Sequence, residues 1–163
     1  MNVRRTDDGL IVEVATEAET EHLGRTLAGV LGPGVVIGLV GPLGAGKTRL
    51  VRALAEALGV DPGAIASPTF VLIHEYEGRI PVVHCDAYRL RDGDEFEALG
   101  VDDYWSGGGV FVVEWADRVA DRLPDGTWFV RIEPLGPQGR RLALEWPELP
   151  GYHDELVRRL DGV

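Results

Sequence analysis

Apolar and polar positions follow three patterns along the chain, and each pattern predicts a different kind of element. Continuous apolar runs at Val35–Val40 and Val110–Glu114 are typical of strands buried on both faces of a parallel sheet. Alternation of apolar and polar residues in Leu10–Val14 predicts a half-buried strand. Leucines at helical spacing predict one helix over Glu17–Leu31 and another over Lys47–Leu58.

The second half of the chain contains paired strands. The elements predicted there are two hairpins, Val71–Tyr76 with Ile80–Asp86 and Trp128–Glu133 with Arg141–Trp146, and two helices, Asp94–Leu99 and Tyr152–Leu160. Thr16 stands directly before the first helix and is a suitable N-cap. Because strands and helices alternate early and strands pair later, we expect one α/β domain over residues 1–163, with a mixed sheet covered by helices.

The charge balance narrows the classes of function. The 163 residues include 27 acidic and 16 basic side chains, for a net charge of −11. Nucleic-acid backbones are bound mainly by clustered Lys and Arg, so we expect no broad nucleic-acid surface here, although contact through a partner protein stays open. A lone cysteine fits a reducing compartment, and the N-terminus shows no signal peptide or membrane span. We therefore expect a cytoplasmic protein with no membrane contact.

The turn after the first buried strand matches the phosphate-loop pattern G-x-x-x-x-G-K-[ST]. It reads Gly41-Pro42-Leu43-Gly44-Ala45-Gly46-Lys47-Thr48, and its lysine is the only one among 16 basic residues. With 22 glycines in 163 residues, such a match has a chance of roughly 0.001 of arising by accident. In such a loop, backbone N–H groups enclose a phosphate, the lysine reaches the β- and γ-phosphates, and the threonine hydroxyl binds Mg²⁺.

Two of the predicted strands end on acids that such a loop needs. Ile80–Asp86 ends on Asp86, and Val110–Glu114 ends on Glu114. Phosphoryl transfer requires an acid that holds Mg²⁺ or its water shell and a group that positions the attacking water. Either acid can occupy the Walker-B position, and the sequence leaves that choice open.

Three consecutive residues, His84-Cys85-Asp86, are of types that bind metal ions or act as nucleophiles. On a strand, His84 and Asp86 share one face while Cys85 points to the other, so the three cannot converge on one metal ion. Within an apolar strand, we interpret Cys85 as a small core residue and His84 as a structural histidine. The stretch is therefore predicted to deliver Asp86 to the magnesium edge of the phosphate loop.

The sequence has no N-K-x-D motif of a GTPase and no L-S-G-G-Q motif of a transporter ATPase, which argues against both of these classes.

Four blocks in order resemble the TsaE (YjeE) family, small bacterial ATPases of tRNA threonylcarbamoyladenosine synthesis. The blocks are Gly41–Thr48, Ser67-Pro68-Thr69-Phe70 running on to Glu75-Tyr76, His84-x-Asp86-x-Tyr88-Arg89-Leu90, and Glu114-Trp115. The resemblance implies a P-loop NTPase-like three-layer α/β sandwich, which is a mixed sheet with helices on both faces and a late β-hairpin.

The resemblance also implies roles for the matched positions. Six consecutive residues would wrap the phosphates of ATP, with Lys47 also serving catalysis and Thr48 ligating Mg²⁺: Leu43, Gly44, Ala45, Gly46, Lys47 and Thr48. Asp86 would be the Walker-B acid, and Glu114 would sit at the metal and order the attacking water. Thr69 would sense the γ-phosphate or the metal, and Trp115 would lie beside the nucleotide, with core packing as its alternative.

Two further positions, Glu17 and Arg140, are weaker candidates for contacts to the base side of ATP, with ordinary surface charge as the favoured interpretation. The chain also departs from the family pattern. Arg49 stands where a second threonine is common, and Ala116-Asp117 where a Pro-Glu-like pair is common.

By this resemblance, the chain would hydrolyse Mg-ATP slowly and drive a cycle in a TsaB–TsaD complex that modifies an adenosine next to the tRNA anticodon. The tRNA would be held by the partners. Two alternatives remain open: a small-molecule kinase in which Asp86 or Glu114 activates an acceptor hydroxyl, and a switch protein that binds ATP without hydrolysing it.

Overall fold

The described residues build an eight-stranded mixed sheet with helices on both sides. The computed structural model describes residues 1–65, 71–147 and 152–161. The strands are β1 (Asn2–Arg5), β2 (Gly9–Val14), β3 (Val36–Val40), β4 (Ile73–Tyr76), β5 (Val82–Asp86), β6 (Val110–Glu114), β7 (Trp128–Pro134) and β8 (Arg140–Glu145). The helices are α1 (Glu17–Ala28), α2 (Lys47–Ala57), α3 (Gly93–Glu97), α4 (Val101–Ser106) and α5 (Tyr152–Asp161), with short 3₁₀ turns at Ala116–Arg118 and Ala120–Arg122.

The strand order β1-β2-β8-β7-β3-β6-β5-β4 puts a parallel group at the centre of the sheet. Strand β3 runs parallel to β6 and β7, and β5 runs parallel to β6. In this register Glu114 lies beside both Leu39 and Asp86. The carboxyl ends of β3, β5 and β6 therefore meet at one edge, where ligands bind in open α/β sheets.

Separate apolar cores form on the two faces of the sheet. On one face, α1, α2 and α5 contribute Leu27, Leu54 and Leu156 to a single buried cluster. On the other, Phe96 of α3 and Val101 of α4 belong to the second cluster. This arrangement confirms the predicted three-layer sandwich with helices on both faces.

The predicted hairpins and helices are present, with shifted boundaries and three unpredicted additions. Strand β4 pairs antiparallel with β5, and β7 with β8. The Thr16 hydroxyl accepts the Glu19 N–H at 3.2 Å, which confirms the N-cap. Helix α1 ends at Ala28, not at Leu31, because Gly29 caps it and the chain then tightens into turns. Strand β1, helix α4 and the 3₁₀ turns were not predicted. None of the helices in the described ranges is long and apolar enough to cross a membrane.

Helices α1 and α2 approach closely at Gly24. A Cβ added there would lie 2.9 Å from the Ala53 Cβ and 2.9 Å from the Leu50 carbonyl oxygen. Contacts that short do not occur, so a larger residue must push the two helices apart. Since α2 begins at Lys47, this packing contact also fixes the helix that follows the phosphate loop.

Replacing Gly24 by alanine tests this contact. Gly→Ala inside a helix ordinarily stabilises by about 1 kcal/mol. Here we expect G24A to lower the free energy of unfolding by ~1–3 kcal/mol, because of overpacking against α2. Urea denaturation followed by circular dichroism measures the difference. The matched control is G126A, at a loop position where an added Cβ meets no atom within 4 Å; it should be near neutral, and stabilisation by G24A would contradict the packing account.

Candidate functional site

The loop between β3 and α2 has the backbone shape of an anion cradle. Gly44 and Gly46 have φ angles of +77° and +105°, a left-handed conformation that favours glycine. Gly41 is needed for another reason, since a Cβ there would lie 2.5 Å from the Ile132 carbonyl oxygen. Gly46 is the N-cap of α2 and offers no side-chain cap. The first N–H groups of α2 are therefore left for an anion at the positive end of the helix dipole.

A cleft of about 340 Å³ lies over this loop. It brings together nearly all of the residues predicted from the sequence: Glu17, Leu43, Gly44, Gly46, Lys47, Thr48, Asp86, Glu114, Trp115 and Arg140. Ala45 is fully buried and is not among the residues that line the cleft; its carbonyl oxygen accepts a hydrogen bond from Arg140. Thr69 lies outside the described residues, so its role stays a prediction.

The Lys47 ammonium is held against the loop. Its Nζ donates to the carbonyl oxygens of Gly41 at 2.6 Å and Pro42 at 2.9 Å. It also lies 3.8 Å from the centre of the Trp115 ring, which is a cation–π contact. Burial lowers the pKa of Lys47, while Glu114 and Asp86 oppose the shift. The half-buried Trp115 therefore packs against the site itself, although core neighbours also contact it.

Glu114 joins the phosphate loop to the neighbouring strand. Its carboxylate is 3% exposed. One oxygen accepts the Thr48 hydroxyl at 3.1 Å, and the other lies 2.9 Å from the His84 Nε2. When Glu114 is ionised, it can only accept, so Nε2 must carry the hydrogen. His84 thus contacts the site directly, which the sequence interpretation of a structural histidine missed; its place on the same strand face as Asp86 was the available signal.

Asp86 ends β5 at the same edge and is half-buried. Its Oδ1 accepts the Tyr88 backbone N–H at 2.9 Å. Burial raises the pKa of Asp86, and the Glu114 charge acts in the same direction. Together with the Thr48 hydroxyl, the two carboxylates supply the oxygen ligands that Mg²⁺ prefers, so the residues present fit this ion.

Cys85 faces away from this site. It lies in the apolar cluster on the opposite face of the sheet, and burial raises its pKa to about 12. A thiol with that pKa is protonated at neutral pH and is not a nucleophile. The prediction of a small core residue is confirmed.

Glu17 and Arg140 make contacts that the sequence did not indicate. The Glu17 carboxylate pairs with Arg49 at 2.9 Å, and Arg49 also binds Glu21. Arg140 is only 9% exposed and donates through Nε to the Ala45 carbonyl oxygen at 2.8 Å. The surface-charge interpretation of Arg140 is therefore wrong, because its long side chain reaches under the phosphate loop. Contact of either residue with the base of ATP stays a prediction.

Tyr88 is a further member of the cleft. It is 50% exposed, and its ring centroid lies 4.8 Å from that of Trp115 in a tilted arrangement. In the sequence, Tyr88 stands only as one position of the block His84-x-Asp86-x-Tyr88-Arg89-Leu90. The structure places it in the lining of the cleft, to which the exposed Leu43 side chain also belongs.

Comparisons with known proteins agree with this geometry. The profile described as "Threonylcarbamoyl adenosine biosynthesis protein TsaE" matches residues 14–150. The tRNA threonylcarbamoyladenosine biosynthesis protein TsaE of Bacillus subtilis (strain 168) is 40% identical over 126 residues, covering 77% of this chain and 78% of that protein. The protein of the same name from Streptomyces coelicolor is 47% identical over 116 residues, covering 69% of this chain and 77% of that protein.

Among solved structures, the "Crystal structure of Bacillus subtilus YdiB" superposes with a TM-score of 0.73 at 29% identity, covering 99% of this chain and 97% of that one. The profile match and the identities span most of the sequence, including the phosphate loop and both strand-end acids. This chain belongs to the TsaE family of threonylcarbamoyl adenosine biosynthesis proteins.

Proposed function

We propose that this protein binds Mg-ATP in the cleft over the phosphate loop and hydrolyses it to ADP and phosphate in the cytoplasm. The observation that carries the proposal is the bond between the Thr48 hydroxyl and the buried Glu114 carboxylate, at 3.1 Å. It links the loop that would hold the phosphates to an acid suited to metal and water. A glycine-rich turn that matched the motif by chance would not be expected to make this contact.

Binding would rely on groups that are already in place. The N–H groups at the start of α2 would bind phosphate oxygens. The Lys47 ammonium would leave the carbonyl oxygens of Gly41 and Pro42, which it contacts now, and move to the β- and γ-phosphates. Trp115 would then lose its cation and present a free ring face at the rim of the cleft.

Hydrolysis would use the hydrogen-bond acceptor positions of Glu114 that remain open. A carboxylate has about four acceptor positions, and the Thr48 hydroxyl and His84 Nε2 occupy two of them. The others can accept from a water molecule held in line with the γ-phosphorus. Attack by that water would form a new bond to the γ-phosphorus and break the bond to the bridging oxygen, whose electron pair stays on ADP, while a proton of the water passes to the released phosphate. Thr48, Asp86 and Glu114 would hold Mg²⁺, whose positive charge would offset the negative charge that develops on the phosphate oxygens.

We further propose that the hydrolysis serves threonylcarbamoyl modification of tRNA together with a TsaB–TsaD-type complex. The named relatives act in tRNA threonylcarbamoyladenosine biosynthesis. The net charge of −11 favours a protein that meets tRNA through its partners.

Glu114→Gln separates binding from hydrolysis. The amide keeps an oxygen for the Thr48 hydroxyl but loses the negative charge that orients water. We expect turnover to fall by about 100-fold or more, while the Kd for ATP stays equal or improves. Phosphate release measured in buffer, without any acceptor molecule, gives the rate, and fluorescence titration gives the Kd.

The control for this variant is Glu133→Gln, at an exposed position on β7, which should match the parent. Unchanged turnover in E114Q would favour the nucleotide-switch alternative. If the parent protein released no inorganic phosphate, and formed ADP and a phosphorylated alcohol only when an acceptor alcohol was added, the small-molecule kinase would replace the ATPase proposal.

Asp86→Asn tests the acid on β5 through stability. Since burial raises the pKa of Asp86, the folded protein favours its neutral form. That contribution to stability is fully present below the unfolded pKa and is lost as the pH rises through the folded pKa. The D86N side chain never ionises, yet it can still accept the Tyr88 N–H. Without nucleotide, we expect D86N to be more stable than the parent at about pH 8, with the difference shrinking toward about pH 4.5.

Thermal unfolding across this pH range measures the effect, and a difference that did not vary with pH would contradict it. The same substitution should reduce Mg²⁺-dependent phosphate release by about tenfold or more. A gain in stability paired with a loss of activity is the expected pattern for a buried functional acid.

The partner proposal is tested with a purified TsaB–TsaD pair. We expect phosphate release to rise several-fold when the pair is added, and the three proteins to co-elute in size-exclusion chromatography in the presence of ATP. If neither stimulation nor co-elution were observed, the protein would have no part in this cycle, and the ATPase proposal would still stand.

A further inference from the structure

Arg140 is a buried cation without a carboxylate partner in the described part of the chain. It is 9% exposed, and no acidic oxygen of the described residues lies within 4.0 Å of its guanidinium. Its donors instead meet backbone carbonyl oxygens: Ala45 at 2.8 Å, Gly139 at 2.8 Å, Gly136 at 3.3 Å and Gly44 at 3.4 Å. Burying a cation without an opposite charge is costly unless its donors are satisfied, so these four carbonyl contacts are what hold Arg140 in place.

The contact to the Ala45 carbonyl fixes the direction of the N–H on the same peptide, while the Ala45 N–H itself donates to the Pro42 carbonyl oxygen at 3.1 Å. A trans peptide points its C=O and its N–H in opposite directions. With the Ala45 carbonyl turned to Arg140, the Gly46 N–H must face the other way. Within the described residues, that N–H donates no hydrogen bond, and a Cβ on Gly46 would lie 3.8 Å from the Arg140 Nε. The guanidinium therefore lies directly behind the peptide that presents this N–H.

The loop carbonyls are divided between two cations. Lys47 binds the carbonyl oxygens of Gly41 and Pro42, while Arg140 binds those of Gly44 and Ala45. Lys47 is expected to leave its pair when a phosphate arrives. Arg140 starts β8, in register with Pro134 and Val14, and this fixed base lets it remain. It is therefore the cation that can hold the loop open in both states.

We propose that Arg140 is a positioning residue for polyphosphates. It holds the Gly44 and Ala45 carbonyls outward, polarises the Ala45–Gly46 peptide, whose N–H faces the anion site, and adds a positive charge behind it. It therefore sets the affinity for the phosphate chain and does not read the base. The inference rests on the proposed nucleotide site and deepens it.

Inorganic tripolyphosphate is the probe that separates the phosphate chain from the base. Isothermal titration with ATP and with tripolyphosphate would compare the parent, R140M and R140K. We expect R140M to weaken both ligands by the same factor, about tenfold, and R140K to fall between, because it keeps the charge but lacks the fork that reaches two carbonyls. In turnover assays, KM should rise with Kd, while kcat stays within about threefold, since ground and transition states use the same N–H groups.

The matched control is R141M, which removes the same charge from the next residue of β8, where Arg141 is exposed and pairs with Glu13. It should bind both ligands like the parent. Weaker ATP binding with unchanged tripolyphosphate binding in R140M would mean that Arg140 contacts the base, and a lower Tm with neither affinity changed would mean a purely structural role. Either result overturns the inference. If R140M does not fold, the same comparison in R140K decides. A parent protein that bound neither ligand would instead overturn the proposed function itself.

Discussion

The site depends on one buried carboxylate, that of Glu114, whose oxygens must accept hydrogen bonds. Removing a carboxylate from water has an effective penalty of several kcal/mol unless its lone pairs are satisfied. The Thr48 hydroxyl and the His84 ring supply hydrogen bonds at 3.1 and 2.9 Å. These partners belong to α2 and β5, while Glu114 ends β6. The electrostatic requirement of a single group thus fastens three elements together at the edge where the phosphate loop begins.

The turn after Glu114 shows how the sheet accommodates this arrangement. Trp115 has φ of +59°, the one positive value among the described non-glycine residues, and such a conformation costs on the order of 1 kcal/mol. The turn sends Ala116 back under β3, where Gly38 leaves room: a Cβ on Gly38 would lie 2.9 Å from the Ala116 Cβ. In return, the Trp115 ring lies over the Lys47 ammonium. A strained backbone is thereby retained at the site where an aromatic face is useful.

The convergence of Thr48, Asp86 and Glu114 could be predicted from the sequence, because a phosphate loop and the carboxyl ends of parallel strands share one edge of a sheet. For His84, the sequence indicates only that it shares a strand face with Asp86. Its contact with Glu114 depends in addition on strand β5 lying beside β6 with His84 opposite Val112. Arg140 was misjudged for a similar reason. The periodicity of a strand predicts which face of the sheet a residue lies on. It does not predict how far a long side chain reaches beneath a neighbouring loop. Strand β1 was missed because its residues are mostly exposed, which leaves no apolar pattern.

The distribution of charge supports the proposal that this acidic chain binds a nucleotide and not a nucleic acid. At physiological ionic strength, charges are screened beyond about 8 Å, so a compact triphosphate experiences mainly the groups within the cleft. There, Lys47 and Arg140 face the loop, while Arg49 is occupied by Glu17 and Glu21. A tRNA backbone extends far past this range and would meet the acidic exterior of a molecule with net charge −11. Under the proposed function, these local cations on an acidic protein would select for a small polyanion.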